Sequence, residues 1–388
     1  MSAPETAVPQ APEEARVQRG LKGVHFARSG ISDIDGRAGE LRYRGYSIHD
    51  LAEHATFEEI CHLMLAGDLP TAAQLAQVKA GLAGNRALRP QMRSLLESLR
   101  DAHPMTVLRT AVSAFGAYDP TPDDRSPAAL VAKGIALTSQ AATLVAAHHR
   151  LRRGLDPIEP DTSLSHAASF LYLLSGERPS AETGRLMDID LILHAEHGAN
   201  ASSFAARVVA ATGADFYAAM TAAIGALSGP AHGGAAEDVM RMVREIGDPE
   251  QAAAYVRRQR DAREPIMGFG HRVYRVEDPR ARHLRSRAEA LSREKGDPRW
   301  FAVLQAVVDA MRPYSRLGVN VNVDFYAGVI YHLQGIPQDL FVPVFALGRI
   351  PGWTAHIAEQ VEDDILIRPL TTYSGEGPRA YQPIAERS

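Results

Sequence analysis

Met267-Gly268-Phe269-Gly270-His271-Arg272-Val273-Tyr274-Arg275-Val276-Glu277-Asp278-Pro279-Arg280 gathers two glycines, a histidine and several arginines in one stretch. Gly268 and Gly270 permit positive φ or a close backbone approach to a ligand. A histidine held on such a loop can act as an acid or a hydrogen-bond donor near neutral pH. Arg275 and Arg280 supply fixed positive charge suited to phosphate or carboxylate groups. Taken alone, the stretch also fits an ordinary basic surface loop, so the other candidate segments decide its meaning.

His194-Ala195-Glu196-His197 ends a strongly apolar run, and its two histidines would share a helix face. A zinc protease would carry H-E-x-x-H, which is absent. Asn200, Ser202 and Ser203 follow and make a polar patch able to bind a small anion; two core or capping histidines are the alternative. In Ser228-Gly229-Pro230-Ala231-His232-Gly233-Gly234 the glycines let a ligand approach the histidine. A helix beginning just behind it would disfavour the imidazolium and leave a neutral donor for a developing oxyanion. Asn320-Val321-Asn322-Val323-Asp324-Phe325-Tyr326 puts one carboxylate among apolar neighbours, either as an N-cap or as a base of raised pKa. Arg349 follows a nearly uncharged run, and Arg368 lies in Ile367-Arg368-Pro369. With Arg280 they could hold a substrate bearing several carboxylates through bidentate forks.

The chain that must position these groups has 388 residues, enough for two compact units. A formal net charge of −4 gives no reason to expect nucleic acid or an anionic membrane as partner. Cys61 is the only cysteine, which excludes an internal disulfide and a cysteine-cluster metal site and suits a reducing cytoplasm. Residues 1–20, rich in Ala, Pro and Glu, read as a flexible tail.

Short β-like runs at Val24–Phe26, Ile31–Ile34 and Glu40–Tyr43, around Asp35-Gly36, predict a small hairpin. Helices dominate from there. Thr56 with Glu59, and Thr71 with Gln74, are capping boxes. Helical patterns follow at Pro90–Arg100, Thr106–Phe115, Pro127–Arg152, Ser165–Ser175, Ala181–His197, Phe216–Leu227 and Ala235–Ile246. Others are expected at Pro249–Arg263, Pro279–Lys295, Pro298–Met311, Val323–Gln334, Gln338–Gly348 and Pro351–Val361. The fold is predicted to be all-α.

These segments together resemble the citrate synthase family from about Gly20 to the C-terminus. The resemblance rests on Ile34-Asp35-Gly36 with Tyr43-Arg44-Gly45-Tyr46, His194–Ser202, Gly229–Ala235, Met267–Arg280, Asn322–Gly328 and Gly352–His356. It implies a two-domain helical fold with a small N-terminal β-hairpin: a large domain of residues 21–232 and 336–388 and a small inserted domain of residues 233–335. It also implies a homodimer that condenses acetyl-CoA with oxaloacetate and water and needs no cofactor or metal. By motif position, Asp324 would be the base, His232 the donor to the thioester oxygen, and His271 the group acting on the oxaloacetate carbonyl. His197, Arg280 and Arg349 would hold oxaloacetate, joined by Arg368 from the partner subunit. Arg275, Gly268, Phe269 and Gly270 would lie along CoA. The short N-terminus lacks the β-rich regulatory domain of NADH-sensitive hexameric members, so strong NADH inhibition is not expected. A 2-methylcitrate synthase, using propionyl-CoA, is the neighbouring expectation, because one methylene is worth only about 1–3 kcal/mol in a pocket. A silent paralogue that senses CoA or carboxylates is a further alternative.

Overall fold

The computed structural model describes residues 17–21 and 23–387. Most of the tail expected over residues 1–20 therefore lies outside the described residues. The chain divides into two units. In the smaller, residues 17–28 and 367–387 carry only 3₁₀ turns at Arg19–Leu21 and Ile384–Glu386, and Leu370, Tyr373, Tyr381 and Ile384 are exposed. Val24–Phe26, expected as β, forms no strand there.

The larger unit, residues 29–366, opens on the hairpin. Strands β1 (Ser32–Asp35) and β2 (Glu40–Tyr43) pair antiparallel with Ile34 opposite Leu41, and β3 (Tyr46–Ser47) adds a short third strand. The turn is closed by the Asp35 carboxylate, which accepts the Arg37 and Ala38 N–H groups at 2.8 and 2.9 Å. Alternation turns Leu41 and Tyr43 inward and leaves Asp33 and Asp35 exposed.

Sixteen α-helices follow among the described residues. The first eight are α1 (Ile48–His54), α2 (Phe57–Ala66), α3 (Ala72–Gly84), α4 (Pro90–Ser98), α5 (Pro104–Tyr118), α6 (Pro127–Arg152), α7 (His166–Ser175) and α8 (Ala181–His194). The rest are α9 (Ala201–Ala210), α10 (Phe216–Leu227), α11 (Ala235–Ile246), α12 (Ala252–Asp261), α13 (Pro279–Glu294), α14 (Arg299–Met311), α15 (Asp324–Leu333) and α16 (Phe341–Asp363). Both capping boxes form, at Thr56/Glu59 and Thr71/Gln74, and Gly67 ends α2 in the left-handed conformation. α6 is long and apolar enough to cross a membrane, but two thirds of its apolar window is buried against other helices, as in a core helix.

Three differences from the sequence reading bear on the site. α8 stops at His194, so His197 lies beyond it and shares no helix face with His194. α9 forms where only a polar patch was expected, because Asn200 caps it by accepting the Ser202 and Ser203 N–H groups. The two helices expected on either side of residues 349–350 are one helix, α16, which runs through Pro351. Proline lacks one N–H, but that loss is outweighed by packing: Gly352 lets the helix approach so closely that an added Cβ would stand 2.1 Å from the Ala195 carbonyl oxygen.

Candidate active site

Burial and local backbone pairing fix the candidate residues. Phe269 and Val321 form an antiparallel bridge, flanked by the Gly270 N–H to the Asn320 carbonyl at 2.8 Å and the Asn322 N–H to the Gly268 carbonyl at 2.9 Å. The Asn322 side chain also donates to the Gly270 carbonyl at 3.1 Å. The pairing registers the loop carrying His271 with the segment leading into Asp324. Gly268 at φ +78° and Gly270 at φ +85° occupy the left-handed region that such a loop demands. The hairpin packs on the same loop: the Arg275 N–H donates to the Gly36 carbonyl at 2.7 Å.

His271 accepts the Val273 and Tyr274 N–H groups on Nδ1 at 3.0 and 3.2 Å. Two donors on Nδ1 put the imidazole proton on Nε2. Burial lowers its pKa to about 4, with Arg280 acting in the same direction. His232 is the mirror case. Its Nε2 accepts the Ser202 N–H at 3.3 Å and lies 2.9 Å from the Ser202 hydroxyl, so its proton sits on Nδ1. Ser202 is itself held by the Trp353 indole N–H at 3.1 Å. The His232 pKa also falls to about 4, from burial first and Arg349 second. α11 begins only at Ala235, so burial, not the helix end foreseen from sequence, keeps this histidine neutral.

His197 lies 5.0 Å from His271, ring to ring, and its Nε2 is 3.1 Å from the Tyr274 hydroxyl. Burial, Arg280, His271 and Arg349 together push its pKa well down. Arg280 is buried and forked on Asp278, Nε to Oδ1 at 3.0 Å and Nη2 to Oδ2 at 2.7 Å, and its Nη1 edge bonds to none of the described residues. Arg349 is 1% exposed. Its Nε donates to the His194 carbonyl, its guanidinium lies 4.8 Å over the Phe345 ring, and its Nη atoms bond to none of the described residues. Burial lowers its pKa to about 10, still far above neutrality. Glu196, fully buried, accepts from Ser32, the Gly198 N–H and His356 and balances part of this charge.

Asp324 is the first residue of α15, and its side chain caps nothing. Its own N–H is held by the Asn322 side-chain oxygen at 3.2 Å. Its carboxylate accepts no hydrogen bond from the described residues, and desolvation raises its pKa. Beside it, His194 donates Nδ1–H to the Asp190 carbonyl at 2.9 Å, and the Tyr331 hydroxyl donates to Asp190 Oδ2 at 2.6 Å.

His197, His271 and Arg280 thus share one neighbourhood, and Arg349 acts electrostatically on His197, His232 and Asp324. Arg275 is exposed on the loop. Arg368 is exposed and belongs to the smaller unit. The sequence reading missed Tyr43, Tyr274, Asp278 and Ser202 as supports. Tyr43 is buried and donates to the end of α8 while accepting the Glu196 N–H at 3.2 Å. A tyrosine inside an arginine-rich loop, as Tyr274 is, was the available signal.

Residues 20–370 match the family model described as citrate synthase, C-terminal domain. The chain is 44% identical over 379 residues to the citrate synthase of Haloferax volcanii, covering 96% of this chain and 99% of that one. It is 41% identical to 2-methylcitrate synthase 2 of Corynebacterium glutamicum, covering 96% and 98%. Its fold matches the ternary complex of Thermoplasma acidophilum citrate synthase with carboxymethyl coenzyme A and oxaloacetate at a TM-score of 0.91, with 32% identity and coverage of 96% and 100%. With that match over nearly its whole length, the chain belongs to the citrate synthase family.

Proposed function

We propose that this enzyme condenses acetyl-CoA with oxaloacetate and water to give citrate and CoA. The observation that supports this mechanism is a pair of neutral imidazoles held in opposite tautomers by backbone N–H groups, each sharing a buried arginine with the desolvated Asp324 carboxylate. Arg349 acts on His232 and Asp324, and Arg280 on His271 and Asp324. Asp324 takes a proton from the acetyl methyl. A thioester methyl is a weak carbon acid, so a base alone is insufficient. His232 donates its Nδ1–H to the thioester oxygen as charge gathers there, which offsets the deficit. The resulting carbon nucleophile attacks the oxaloacetate carbonyl, and the Nε2–H of His271 is given to that oxygen as it becomes the product hydroxyl. Water then adds to the product thioester, its oxygen bonding to the acyl carbon while one of its protons restores His271 Nε2. The C–S bond breaks, the proton held by Asp324 leaves on the CoA sulfur, and the new carboxyl group loses its proton to solvent. A raised Asp324 pKa strengthens the base, and neutral imidazoles avoid placing further cations beside the arginines.

Oxaloacetate would lie between His197, the Nη1 edge of Arg280 and the unbonded Nη atoms of Arg349. Arg368 of the partner subunit would complete the site, which makes the working form a homodimer. Arg275 and the Gly268-Phe269-Gly270 loop would follow CoA. Residues 233–335 would move as the small domain over residues 21–232 and 336–388, excluding water once oxaloacetate is bound. No cofactor enters this chemistry, and a cytoplasmic location suits the buried, unpaired Cys61.

Thiol release from acetyl-CoA and from propionyl-CoA, each with and without oxaloacetate, tests the reading. Oxaloacetate-dependent release with acetyl-CoA preferred is expected; a preference for propionyl-CoA would assign 2-methylcitrate synthase instead. Asp324→Ala should nearly abolish turnover with oxaloacetate affinity retained, and near-normal turnover would remove Asp324 as the base.

A further inference from the structure

A second cluster of cations lies at the C-terminal end of α6. A cavity of about 470 Å³ there is lined by Arg100, Asp101, His149, Arg152, Arg153 and Pro337. We propose that this cavity is a binding site for a phosphate-bearing anion.

The argument starts from a hydrogen-bond mismatch. His149 is only 5% exposed. Its Nδ1 stands 3.3 Å from Arg152 Nη2 and its Nε2 3.5 Å from Arg153 Nη1. A guanidinium can only donate, and a neutral imidazole carries one N–H. One of the two contacts therefore sets donor against donor, and an acceptor is missing. Burial and the adjacent arginines hold the ring neutral, with a pKa near 4, so the mismatch is present at neutral pH.

The charges around it divide into satisfied and unsatisfied. Arg152 is forked on Asp339, with Nη2 to Oδ1 at 2.9 Å. Arg153 is exposed, and its guanidinium meets only His149 among the described residues. Arg100 faces Asp101 at 3.8 Å, with side chains 66% and 92% exposed, a pairing that solvent screens. Two weakly engaged guanidinium groups thus line a single open volume beside the His149 ring. A phosphoryl group offers three acceptor oxygens that can take donors from three directions at once. The volume lies in the range of about 300–1,000 Å³ usual for small-molecule sites.

Arginines at a helix C-terminus also complement the helix dipole. That accounts for their charge but leaves the donor–donor contact unresolved. The same dipole opposes an anion on the helix axis, so the ligand must sit on the guanidinium side, and its affinity must fall with salt.

The test is calorimetric titration of the full chain with tripolyphosphate at low ionic strength, with CoA and oxaloacetate saturating so that the active site is filled. One binding event per chain is expected to remain. It should weaken at least tenfold in Arg100→Glu/Arg153→Glu, with turnover and thermal midpoint unchanged. The charge-reversal comparison is meaningful whether or not CoA binds, so it stands apart from the reading of the active site. Orthophosphate and a nucleoside triphosphate serve as further probes. Tighter binding of the nucleotide would identify a nucleotide site, and equal binding of orthophosphate a single phosphoryl pocket; both uphold the proposal. Absence of the binding event, indifference to the charge reversal, or tighter binding of citrate than of tripolyphosphate would overturn it.

Discussion

Two glycines flanking Phe269 provide a matched pair for testing how the loop positions Asp324. Gly268 and Gly270 have nearly the same φ, +78° and +85°. At Gly268 an added Cβ would stand 2.5 Å from Phe325 Cδ2 and 2.9 Å from both Phe325 Cβ and Val239 Cγ2. At Gly270 nothing lies within 4 Å. An L-residue in the left-handed region costs roughly 1–2 kcal/mol, which both alanine variants incur. Overpacking adds about 1–3 kcal/mol at residue 268 alone. With each kcal/mol worth about 2–4 °C in a domain of moderate size, Gly268→Ala should melt several degrees below Gly270→Ala. The activity difference should be larger still. Phe325 is bonded to Asp324, and misplacing a reacting group by about 1 Å can cost on the order of 10²-fold in rate. Gly268→Ala should therefore lose roughly 10- to 100-fold in kcat by thiol release, while Gly270→Ala stays within a few-fold of the parent. Equal kcat values for the two variants would refute the idea that the Gly268–Phe325 contact holds the base in place.

His232 and His271, with pKa values near 4 in the folded chain, titrate near 6.5 when unfolded. Between those values the unfolded chain binds more protons, so the thermal midpoint should fall as pH drops from about 6.5 to about 4. Over that range both donors keep their tautomers, so a titration of either ring near 6.5 by NMR would contradict the assignment; the acid limb of kcat should instead follow the raised Asp324 carboxyl. Arg349→Ala and Arg368→Ala should each weaken oxaloacetate affinity, read by calorimetry. At oxaloacetate concentrations too low to drive either variant alone, the two mixed and re-equilibrated should recover up to about a quarter of parental activity if one site draws on both subunits of a twofold dimer, and none otherwise. Tyr331→Phe removes the 2.6 Å bond to buried Asp190 and should cost about 1.5–3 kcal/mol, seen as a lower thermal midpoint.

The helices were legible wherever local chemistry dictates them. Thr56/Glu59, Thr71/Gln74 and the prolines at the starts of α4, α6 and α13 mark ends that the structure keeps. α1 was missed because its seven residues are too few to show a period, and α9 because its signal, Asn200, reads equally as a ligand group. Pro351 misled in the opposite direction, since its local cost is overridden by tertiary packing along Gly348 and Gly352. At the candidate site, the residue types were legible from the motifs, while the states of the side chains were not. That Asp278 already occupies one edge of Arg280, or that Ser202 sets the tautomer of His232, depends on neighbours far away in sequence.

The Glu196 carboxylate, inaccessible to solvent, joins Ser32 from the start of the chain to His356 near its end. This arrangement has a consequence in time. The 160 residues separating Glu196 from His356 take roughly 8–30 s to synthesise at about 5–20 residues per second. Throughout that interval a nascent chain owns the acid but not the imidazole that meets it, and it cannot bury the one without the other. Long-range contacts of this kind slow folding, so a chain halted before residue 356 should remain a client of chaperones and proteases, with its catalytic helices made but unable to close around their own buried charge.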